Sequence, residues 1–407
     1  MYNIKRSLAE LCNGSTTDSD SVCWGSNPYS AAKKKTTIFR GLFFYEIFIS
    51  HCLLNRNKKY DIISASGGES MKTAVINIPA RTPHLCSVLT GFVMLEKQGV
   101  LKLKINSGAD LPMKGLMEVL IDGKRLAYDM LDGYNYTSEQ EINAYLETCD
   151  YFFKRSFSTE LNGKIFPTNN NKIYRWGFNY LTTCDGNNYF NNDPDKKLIE
   201  TVNLFRGRKP LKYFTYDKFE KEPDYSGEPK ILFMTRLWDR SQTSEKNLDG
   251  INSMRIELVK TLRKEYSNNS VSGIYDGLPA RRICPELILP SGVTNRSRYL
   301  ETMKSADICI ASTGLHGSIG WKTGEYVAAS RAIVSEKMNY EVTGDFEIGR
   351  NFLEFGSVDE CMSCIDFLMK NPDKIYEMKK NNRRYYQNYL RPDVQLSNSL
   401  KTAGIEL

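Results

Sequence analysis

From Met71 onward, short apolar runs alternate along the chain with longer stretches in which apolar residues recur every three or four positions. The run AVINIP (74–79) is typical of a buried strand, and LCSVLTGFVMLEKQG after it has the spacing of a helix that ends in glycine. LKLKIN then alternates like a half-buried strand. This order of elements predicts an α/β fold with a mainly parallel sheet covered by helices.

Two local signals refine the first half of this pattern. Asp122-Gly123 stands between two apolar runs in MEVLIDGKRLAYDML, which predicts a β-hairpin. The stretch TSEQEINAYLETC has Thr137 or Ser138 three positions ahead of Gln140 or Glu141, the spacing of a capping box. We therefore expect a helix to begin there and to lead into the strand-like DYFFKRSF.

A second alternating unit follows a segment rich in charge, proline and glycine at 208–229, which is typical of an interdomain linker. This unit contains the strand-like runs KILFMTRL, VSGIYD, DICIAS and AIVSE, and 358–390 has the pattern of two closing helices. We predict a first Rossmann-like domain at 71–215 and a second at 216–407, two doubly wound domains that face each other across a cleft.

Residues 1–70 do not share this pattern, and 8–30 have no amphipathic period. With freely chosen codons, NGSTTDSDSV and WGSNP can be written as the D-loop, anticodon arm and TΨC arm of a glutamine tRNA gene. We therefore expect 1–70 to be a non-native extension that arises from a mis-assigned start, with the protein beginning at or near Met71. The alternative is a genuine, weakly structured extension, and the genomic DNA distinguishes the two.

Composition narrows the class of protein. The net charge of +7 is mild for 407 residues, and the arginine clustering of a nucleic-acid groove is missing, so no nucleic-acid partner is expected. Ten cysteines scattered along a long chain do not resemble a secreted disulfide framework. The longest apolar run is broken by Glu46 and is shorter than a membrane-spanning helix. We expect a cytoplasmic protein.

The candidate chemistry lies in ASTGLHGSIGWKTGEYVAASRAIVSE, where Gly314, Gly317 and Gly320 recur between the strand DICIA and a helix that begins near Trp321. A strand, a glycine-rich turn and a helix start direct free backbone N–H groups at an anion. Lys322 adds a cation in the first helical turn. Glu325 lies one turn further, and its carboxylate suits a pair of sugar hydroxyls. A turn that only packs a helix on a strand is the alternative.

A second group of cations follows the strand KILFMTRL. Arg236 comes just after the last apolar residue of this strand, and Lys246 precedes the next helix. Because the carboxyl ends of parallel strands meet at one edge of the sheet, both cations are candidates to bind the same diphosphate. The alternatives are an interdomain ion pair for Arg236 and a solvated loop charge for Lys246.

TRLWDRSQTSEK together with YLETMKSADICIASTGLHGSIGWKTGEYVAASRAIVSE resembles the donor-binding domain of a known enzyme family. These are the GT-B glycosyltransferases of the retaining, group 1 (family 4-like) type found in bacterial gene clusters for capsule, exopolysaccharide and lipopolysaccharide. The resemblance covers 228–390, and in the first domain it extends only to the layout of the elements. It implies a GT-B fold, with two Rossmann-like domains around a cleft.

The resemblance also implies roles for individual residues. Arg236 and Lys246 would bind the donor diphosphate, together with the turn that contains Gly317 and Ser318. Glu325 matches the second Glu of the family's Glu-x7-Glu motif, which would hold the donor ribose. The sequence departs from the family at the first Glu of that motif, where it has Gly317 beside His316.

Two histidines remain after Met71, and both fall in loops expected to line the cleft. His84 is a candidate general base or hydrogen-bond donor to a hydroxyl, or alternatively a cap of the helix after it. Asp129 and Asp132 are the alternative bases, or they belong to an Asp-Gly turn that needs only local hydrogen bonds. His316, in the glycine turn, is the third catalytic candidate after His84 and Asp132. Lys154 and Arg155 are candidates to meet an anionic acceptor, and the alternative is a solvated strand end.

We therefore expect a glycosyltransferase that moves a sugar from a nucleotide-diphosphate sugar to a hydroxyl of a glycan or polyprenyl-linked acceptor at the inner membrane face. Arg236 and Lys322 would stabilise the leaving diphosphate, and no DxD-like carboxylate pair stands in the predicted phosphate loop, so no metal ion or other cofactor is expected. Peripheral contact with the cytoplasmic membrane is expected from the acceptor. The alternatives are a two-lobed protein that binds a small anion without catalysis and a transferase that uses a nucleotide-monophosphate sugar.

Overall fold

The structure is a computed structural model that describes residues 71–80, 82–187, 214–224 and 227–407. The predicted non-native extension at 1–70 lies outside the described residues, as do parts of the predicted linker at 208–213 and 225–226. Within the described residues, no helix has the length and apolar character needed to span a bilayer.

The first domain is built on a six-stranded sheet with the order β2-β1-β3-β4-β5-β6. Its strands are β1 (Thr73–Ile78), β2 (Lys102–Ser107), β3 (Leu116–Ile121), β4 (Lys124–Asp129), β5 (Tyr151–Lys154) and β6 (Ile173–Arg175). The predicted hairpin is confirmed, because β3 and β4 pair antiparallel around Asp122 and Gly123, which both have positive φ. Strand β3 also runs antiparallel to β1, while the three other pairs are parallel, so the sheet is mainly parallel with β3 inserted against the common direction.

Helices α1 (Cys86–Lys97), α2 (Glu139–Glu147) and α3 (Thr159–Ile165) complete the first domain. Helix α1 is buried along almost its whole length, as its apolar sequence requires. Ser138 caps α2 by accepting a hydrogen bond from the Glu141 amide, which confirms the predicted helix start. A short parallel pair, β7 (Thr182–Thr183) and β8 (Phe214–Thr215), lies next to α4 (Tyr216–Phe219) and leads to the second domain.

The second domain has a five-stranded sheet with the order β10-β9-β11-β12-β13, in which every pair is parallel. Its strands are β9 (Ile231–Thr235), β10 (Ser270–Ile274), β11 (Ile308–Ala311), β12 (Ala332–Glu336) and β13 (Phe352–Phe355). Strands β9, β11 and β12 are apolar and almost wholly buried, because helices cover both faces of a parallel sheet.

The helices of the second domain follow the predicted alternation. They are α5 (Leu248–Glu265), α6 (Leu278–Ile283), α7 (Ser291–Thr294), α8 (Arg296–Ser305), α9 (Trp321–Ala328), α10 (Val358–Lys370) and α11 (Pro372–Tyr385). Helix α9 begins at Trp321, as the sequence predicted. Cys361 and Cys364 lie on α10, and the side chain of Cys361 belongs to the hydrophobic core around the second sheet.

The last helix, α12 (Pro392–Thr402), leaves the second domain and packs on α1 of the first. Leu396 and Leu400 belong to the hydrophobic core around the first sheet, as do Ala403 and Ile405 after the helix. A Cβ atom at Gly91 of α1 would lie 2.4 Å from the Pro392 carbonyl oxygen, so only glycine allows this close approach. The six-stranded sheet thus ends before 215 and the five-stranded sheet begins after 216, while the end of the chain packs on the six-stranded sheet.

Candidate functional site

A cavity of about 440 Å³ lies between the two domains, in front of the N-terminus of α9. The first domain contributes His84, Asp132 and Arg155 to its wall. The second domain contributes the ends of β9, β10 and β11 and the first turn of α9. The cavity is therefore at the carboxyl edge of a parallel sheet, where α/β proteins bind their ligands.

The glycine turn brings backbone N–H groups to this cavity. Strand β11 ends at Ala311, and the Gly314 N–H donates to the Ser318 carbonyl at 2.7 Å, which closes the turn. Gly320 is the N-cap of α9 and has no side chain to cap the helix. The Thr323 N–H donates to the Gly320 carbonyl at 3.1 Å, which leaves the N–H groups of Trp321 and Lys322 at the helix N-terminus, where the helix dipole adds positive potential.

His316 holds the turn in its unusual shape but does not line the cavity. Its φ of 55° is in the left-handed region. The Glu245 carboxylate accepts a hydrogen bond from the His316 N–H at 2.6 Å, and the Tyr340 hydroxyl donates to the His316 carbonyl at 2.8 Å. The ring contacts Asn135 of the first domain. His316 is thus placed in the contact between the domains.

Lys322 lines the cavity from the first turn of α9. Its ammonium group donates to the Met234 carbonyl oxygen and lies 4.9 Å from the ring centroid of Tyr275 and 5.4 Å from that of Tyr299. Burial, together with nearby guanidinium groups, lowers the pKa of Lys322 to about 7, although the Glu325 carboxylate opposes this shift. Lys322 is therefore close to its titration point at neutral pH.

The structure separates the two cations predicted after the first strand of this domain. Arg236 lines the cavity, with its guanidinium 3.1 Å from the ring centroid of Trp238. Lys246 is exposed and does not line the cavity. Gly317 does not line it either, whereas Ser318 does. Arg236 and Ser318 therefore line the cavity at the N-terminus of α9, and Lys246 and Gly317 do not.

Glu325 lies one helical turn from Lys322, on the cavity wall. It is 2% exposed. One carboxylate oxygen accepts from the Arg296 guanidinium at 2.5 Å, and the other accepts from the Tyr299 hydroxyl at 2.8 Å. This buried pair fixes the carboxylate, and each oxygen keeps one lone pair for a further donor.

His84, Arg155 and Asp132 form one hydrogen-bonded group on the first-domain wall. Nη1 of Arg155 donates to Nδ1 of His84 at 3.0 Å, and Nη2 donates to the Asp132 carboxylate. Helix α1 has no side-chain cap, so the alternative that His84 caps it is wrong. Because arginine only donates, Nδ1 of His84 is an acceptor and the neutral ring carries its proton on Nε2.

Asp132 also lies near Ser318 of the glycine turn, and both residues line the cavity. Burial alone would raise the pKa of the Asp132 carboxyl, but the Arg155 guanidinium holds it below its ordinary value. Asp132 is therefore ionised at neutral pH and places a negative charge on the first-domain wall of the cavity.

The alternative residues from the first domain have structural partners. Lys154 and Asp129 are both fully buried and form an ion pair at 2.8 Å. The Tyr136 hydroxyl donates to the same Asp129 oxygen at 2.7 Å. Asp129 and Lys154 do not line the cavity, so only Arg155 of the Lys154–Arg155 pair reaches it.

Sequence reasoning missed two arginines on the cavity wall, Arg255 and Arg296. Arg255 lies on the buried stripe of α5, and a charge on such a stripe was a signal in the sequence. Arg296 begins α8 and carried no comparable signal. With these two, positive side chains outnumber carboxylates around the cavity.

No protein-family model matches the chain, and a search of the curated proteins returns no match. Several solved structures are similar to it. A glycosyltransferase from Rickettsia africae matches at 14% identity and a TM-score of 0.42, over 92% of this chain and 82% of the other. HepE from Anabaena, in complex with UDP, matches at 10% identity and a TM-score of 0.40, over 81% and 98%.

The C-terminal domain of a group 1 family glycosyl transferase, LpcC from Francisella tularensis, matches at 12% identity and a TM-score of 0.29, over 39% of this chain and 86% of the other.

The strands and helices of this chain define its fold. Two Rossmann-like domains enclose a cleft, and the final helix returns to the first domain. This arrangement is the GT-B fold that the sequence predicted.

Proposed function

We propose that the protein is a glycosyltransferase that transfers a sugar from a nucleotide-diphosphate sugar to a hydroxyl of a glycan acceptor. The observation that carries this proposal is the interdomain cavity at the N-terminus of α9, with Arg236 and Lys322 on its wall. A helix N-terminus with two adjacent cations matches the charge of a diphosphate.

The donor would bind with its diphosphate in front of Gly320 and Trp321. Arg236 and Lys322 would neutralise the phosphate oxygens, and Ser318 would bound the site on the side of the turn. Because these groups are held in place before the reaction, they would stabilise the charge that develops on the leaving diphosphate. Lys246 is not included, since it does not line the cavity.

Glu325 would accept hydrogen bonds from the donor ribose with the lone pairs that Arg296 and Tyr299 leave open. Its burial beside Lys322 supports this assignment, because a ribose attached to a diphosphate at the helix end would lie within about one helical turn. The motif resemblance in the sequence supports the same role.

The first-domain wall would bind the transferred sugar and the acceptor. Since Arg155 occupies Nδ1 of His84, the neutral ring would donate from Nε2 to a substrate hydroxyl, and this favours a hydrogen-bond donor over a general base. The depressed pKa of Asp132 makes it a weak base as well. A polyprenyl-linked surface glycan, met at the cytoplasmic membrane face, is the acceptor class we propose.

The proposal also includes transfer without a metal ion. Within the described residues, no three His, Cys, Asp or Glu side chains lie together as a ligand set. Arg236 and Lys322 would provide positive charge at the leaving group. Turnover in EDTA, compared with turnover in added Mg²⁺ or Mn²⁺, tests this part: equal rates are expected, and loss of activity in EDTA would contradict it.

The experiment that tests the function is a hydrolysis and transfer assay with a panel of nucleotide sugars. The panel begins with UDP-glucose, the compound bound to HepE in one of the similar structures, and includes other diphosphate and monophosphate donors. Release of the free nucleoside diphosphate is expected for at least one donor. Tight retention of a donor without any product would instead indicate a binding protein, and turnover of only monophosphate donors would refute the diphosphate site.

A further inference from the structure

Arg255 is a buried charge on the face of α5 that packs against the second sheet. It is 5% exposed and lies on the same stripe as Leu248, Leu258 and Leu262, which are in the core. An apolar side chain is the ordinary occupant of such a position, because an arginine there loses its hydration. The partners of Arg255 therefore indicate what the charge does.

The guanidinium of Arg255 joins the ends of two neighbouring strands. Nη1 donates to the Arg236 carbonyl oxygen and Nη2 to the Thr313 carbonyl oxygen, each at 2.7 Å. Arg236 directly follows β9, and Thr313 lies two residues after β11, the strand that pairs with β9. Glu336 holds the other side of Thr313 by accepting from its N–H and its hydroxyl, both at 2.9 Å.

Arg255 is charged but has no close counter-ion among the described residues. Its two terminal nitrogens bind carbonyl oxygens, its Nε has no hydrogen-bond partner, and the side chain lines the cavity. Burial lowers the pKa of Arg255 to about 10, a shift that Glu336 opposes, so the group stays protonated at neutral pH. A buried cation without a direct ion pair is costly, and an anion in the adjacent cavity would offset that cost.

We propose that Arg255 is a positioning residue for a diphosphate in this cavity: it fixes the loops of Arg236 and Thr313 against each other and supplies a permanent positive charge behind them. This inference rests on the proposed function, because it concerns the same diphosphate site. It assigns Arg255 a different task from Lys322, which lies at the helix end and is close to its titration point.

The same helix offers a matched control. Arg263 lies eight residues after Arg255 and also binds only backbone carbonyl oxygens, those of Ser272, Glu286 and Leu287, at 2.8 to 3.1 Å. It does not line the cavity. Replacing either arginine removes carbonyl contacts of a similar kind, but only Arg255 would influence an anion in the cavity.

The test measures binding of inorganic pyrophosphate by calorimetry to the wild-type chain and to Arg255→Met, Arg255→Lys and Arg263→Met, with thermal unfolding recorded for each. We expect Arg255→Met to weaken pyrophosphate binding by about tenfold or more, as expected for the loss of a nearby buried charge. Arg255→Lys keeps the charge but cannot join the Arg236 and Thr313 carbonyl oxygens as the guanidinium does. It should therefore bind pyrophosphate more tightly than Arg255→Met and more weakly than the wild type. Arg263→Met should bind like the wild type.

The outcomes separate this inference from the proposed function. If the wild type binds pyrophosphate and Arg255→Met binds it equally well, Arg255 is not a positioning residue, while the diphosphate site stands. Equal weakening in Arg263→Met would also overturn the inference, because it would show a general structural effect. If Arg255→Met does not fold, wild-type affinity in Arg255→Lys overturns the bridging role. Failure of the wild type to bind pyrophosphate would refute both proposals.

Discussion

At the scale of single residues, Lys322 is the group whose environment most affects the chemistry of the site. It is enclosed by Tyr275 and Tyr299 and faces three guanidinium groups, those of Arg255, Arg296 and Arg236. Its pKa of about 7 means that a small change in pH changes its charge. A bound diphosphate would favour the charged form, so binding and protonation are coupled.

We therefore predict that nucleoside diphosphate binding weakens as the pH rises through 7. Lys322 of the free protein loses its proton in that range. Binding of the anion then requires Lys322 to take up a proton, which costs more free energy as the pH rises. Above pH 7 the terminal phosphate of the ligand, with a pKa near 6, is already fully charged, so the remaining dependence comes from the protein. Because Lys322 is protonated in the complex, the affinity should fall by about 50-fold between pH 7 and pH 9.

Calorimetry in two buffers with different ionisation enthalpies measures both the affinity and the proton uptake. Lys322→Met is the matched control, because it keeps the length of the side chain but does not titrate. It should bind more weakly at pH 7 and show a flat profile above that pH. A wild-type profile as flat as that of Lys322→Met would show that Lys322 does not contact the diphosphate.

Glu325 gives a prediction about stability. Glu325→Gln would leave Arg296 buried without its counter-ion, and removing one partner of a buried pair costs about 3–5 kcal/mol of unfolding free energy. Glu301→Gln is the control, since Glu301 pairs with Arg298 on the exposed face of α8 and such pairs contribute less than about 1 kcal/mol. Denaturant unfolding measures both variants, and equal stability of the two would show that the pair with Arg296 is not structural.

The sequence indicated some site residues and not others, for physical reasons. Arg236, Lys322 and Glu325 were found because they follow strand ends or the glycine turn, and those positions are set by local pattern. The contacts of Lys154 with Asp129 and of His316 with Asn135 depend on distant segments that only the fold brings together. Short-range spacing does not contain that information.

At the scale of elements, α9 carries the proposed site and also joins the domains. A Cβ atom at Gly324 would lie 3.0 Å from the Asn179 carbonyl oxygen and 3.2 Å from Cβ of Tyr180, so the helix packs directly on a first-domain segment. Glycine is needed here for close approach and not for a special backbone angle. This contact fixes the distance between the helix end and the first-domain wall.

We predict that Gly324→Ala destabilises the protein by about 1–3 kcal/mol, because the added methyl group must displace backbone. Gly163→Ala on α3 is the control: its Cβ would meet only the Asn170 side chain at 4.0 Å, and alanine has the higher helix propensity. Thermal unfolding should therefore give a lower Tm for Gly324→Ala and an unchanged or higher one for Gly163→Ala. A Tm for Gly324→Ala equal to that of the wild type would contradict the packing described.

Element order was predictable to a large extent, while sheet order was only partly so. The strand before the glycine turn, the start of α9, the hairpin at Asp122-Gly123 and the cap at Ser138 all follow from local residues, and the structure contains each of them. The antiparallel insertion of β3 beside β1 does not, because strand partners are chosen by packing across the sheet.

At the scale of the whole molecule, two parts of the described chain connect the domains. The segment around β7 and β8 leads out of the first domain, and α12 returns to pack on α1. The sequence assigned α12 to the second domain because its apolar face does not reveal which sheet it covers. Both domains therefore line one cavity, where the proposed donor site faces the proposed acceptor wall.

The most direct test of the account is a crystal structure of the protein with a nucleoside diphosphate bound. We predict phosphate oxygens at hydrogen-bonding distance, about 2.7–3.2 Å, from the N–H groups at the start of α9 and from the Arg236 and Lys322 side chains. A diphosphate bound elsewhere, with the helix end in contact only with solvent or protein, would contradict the central claim.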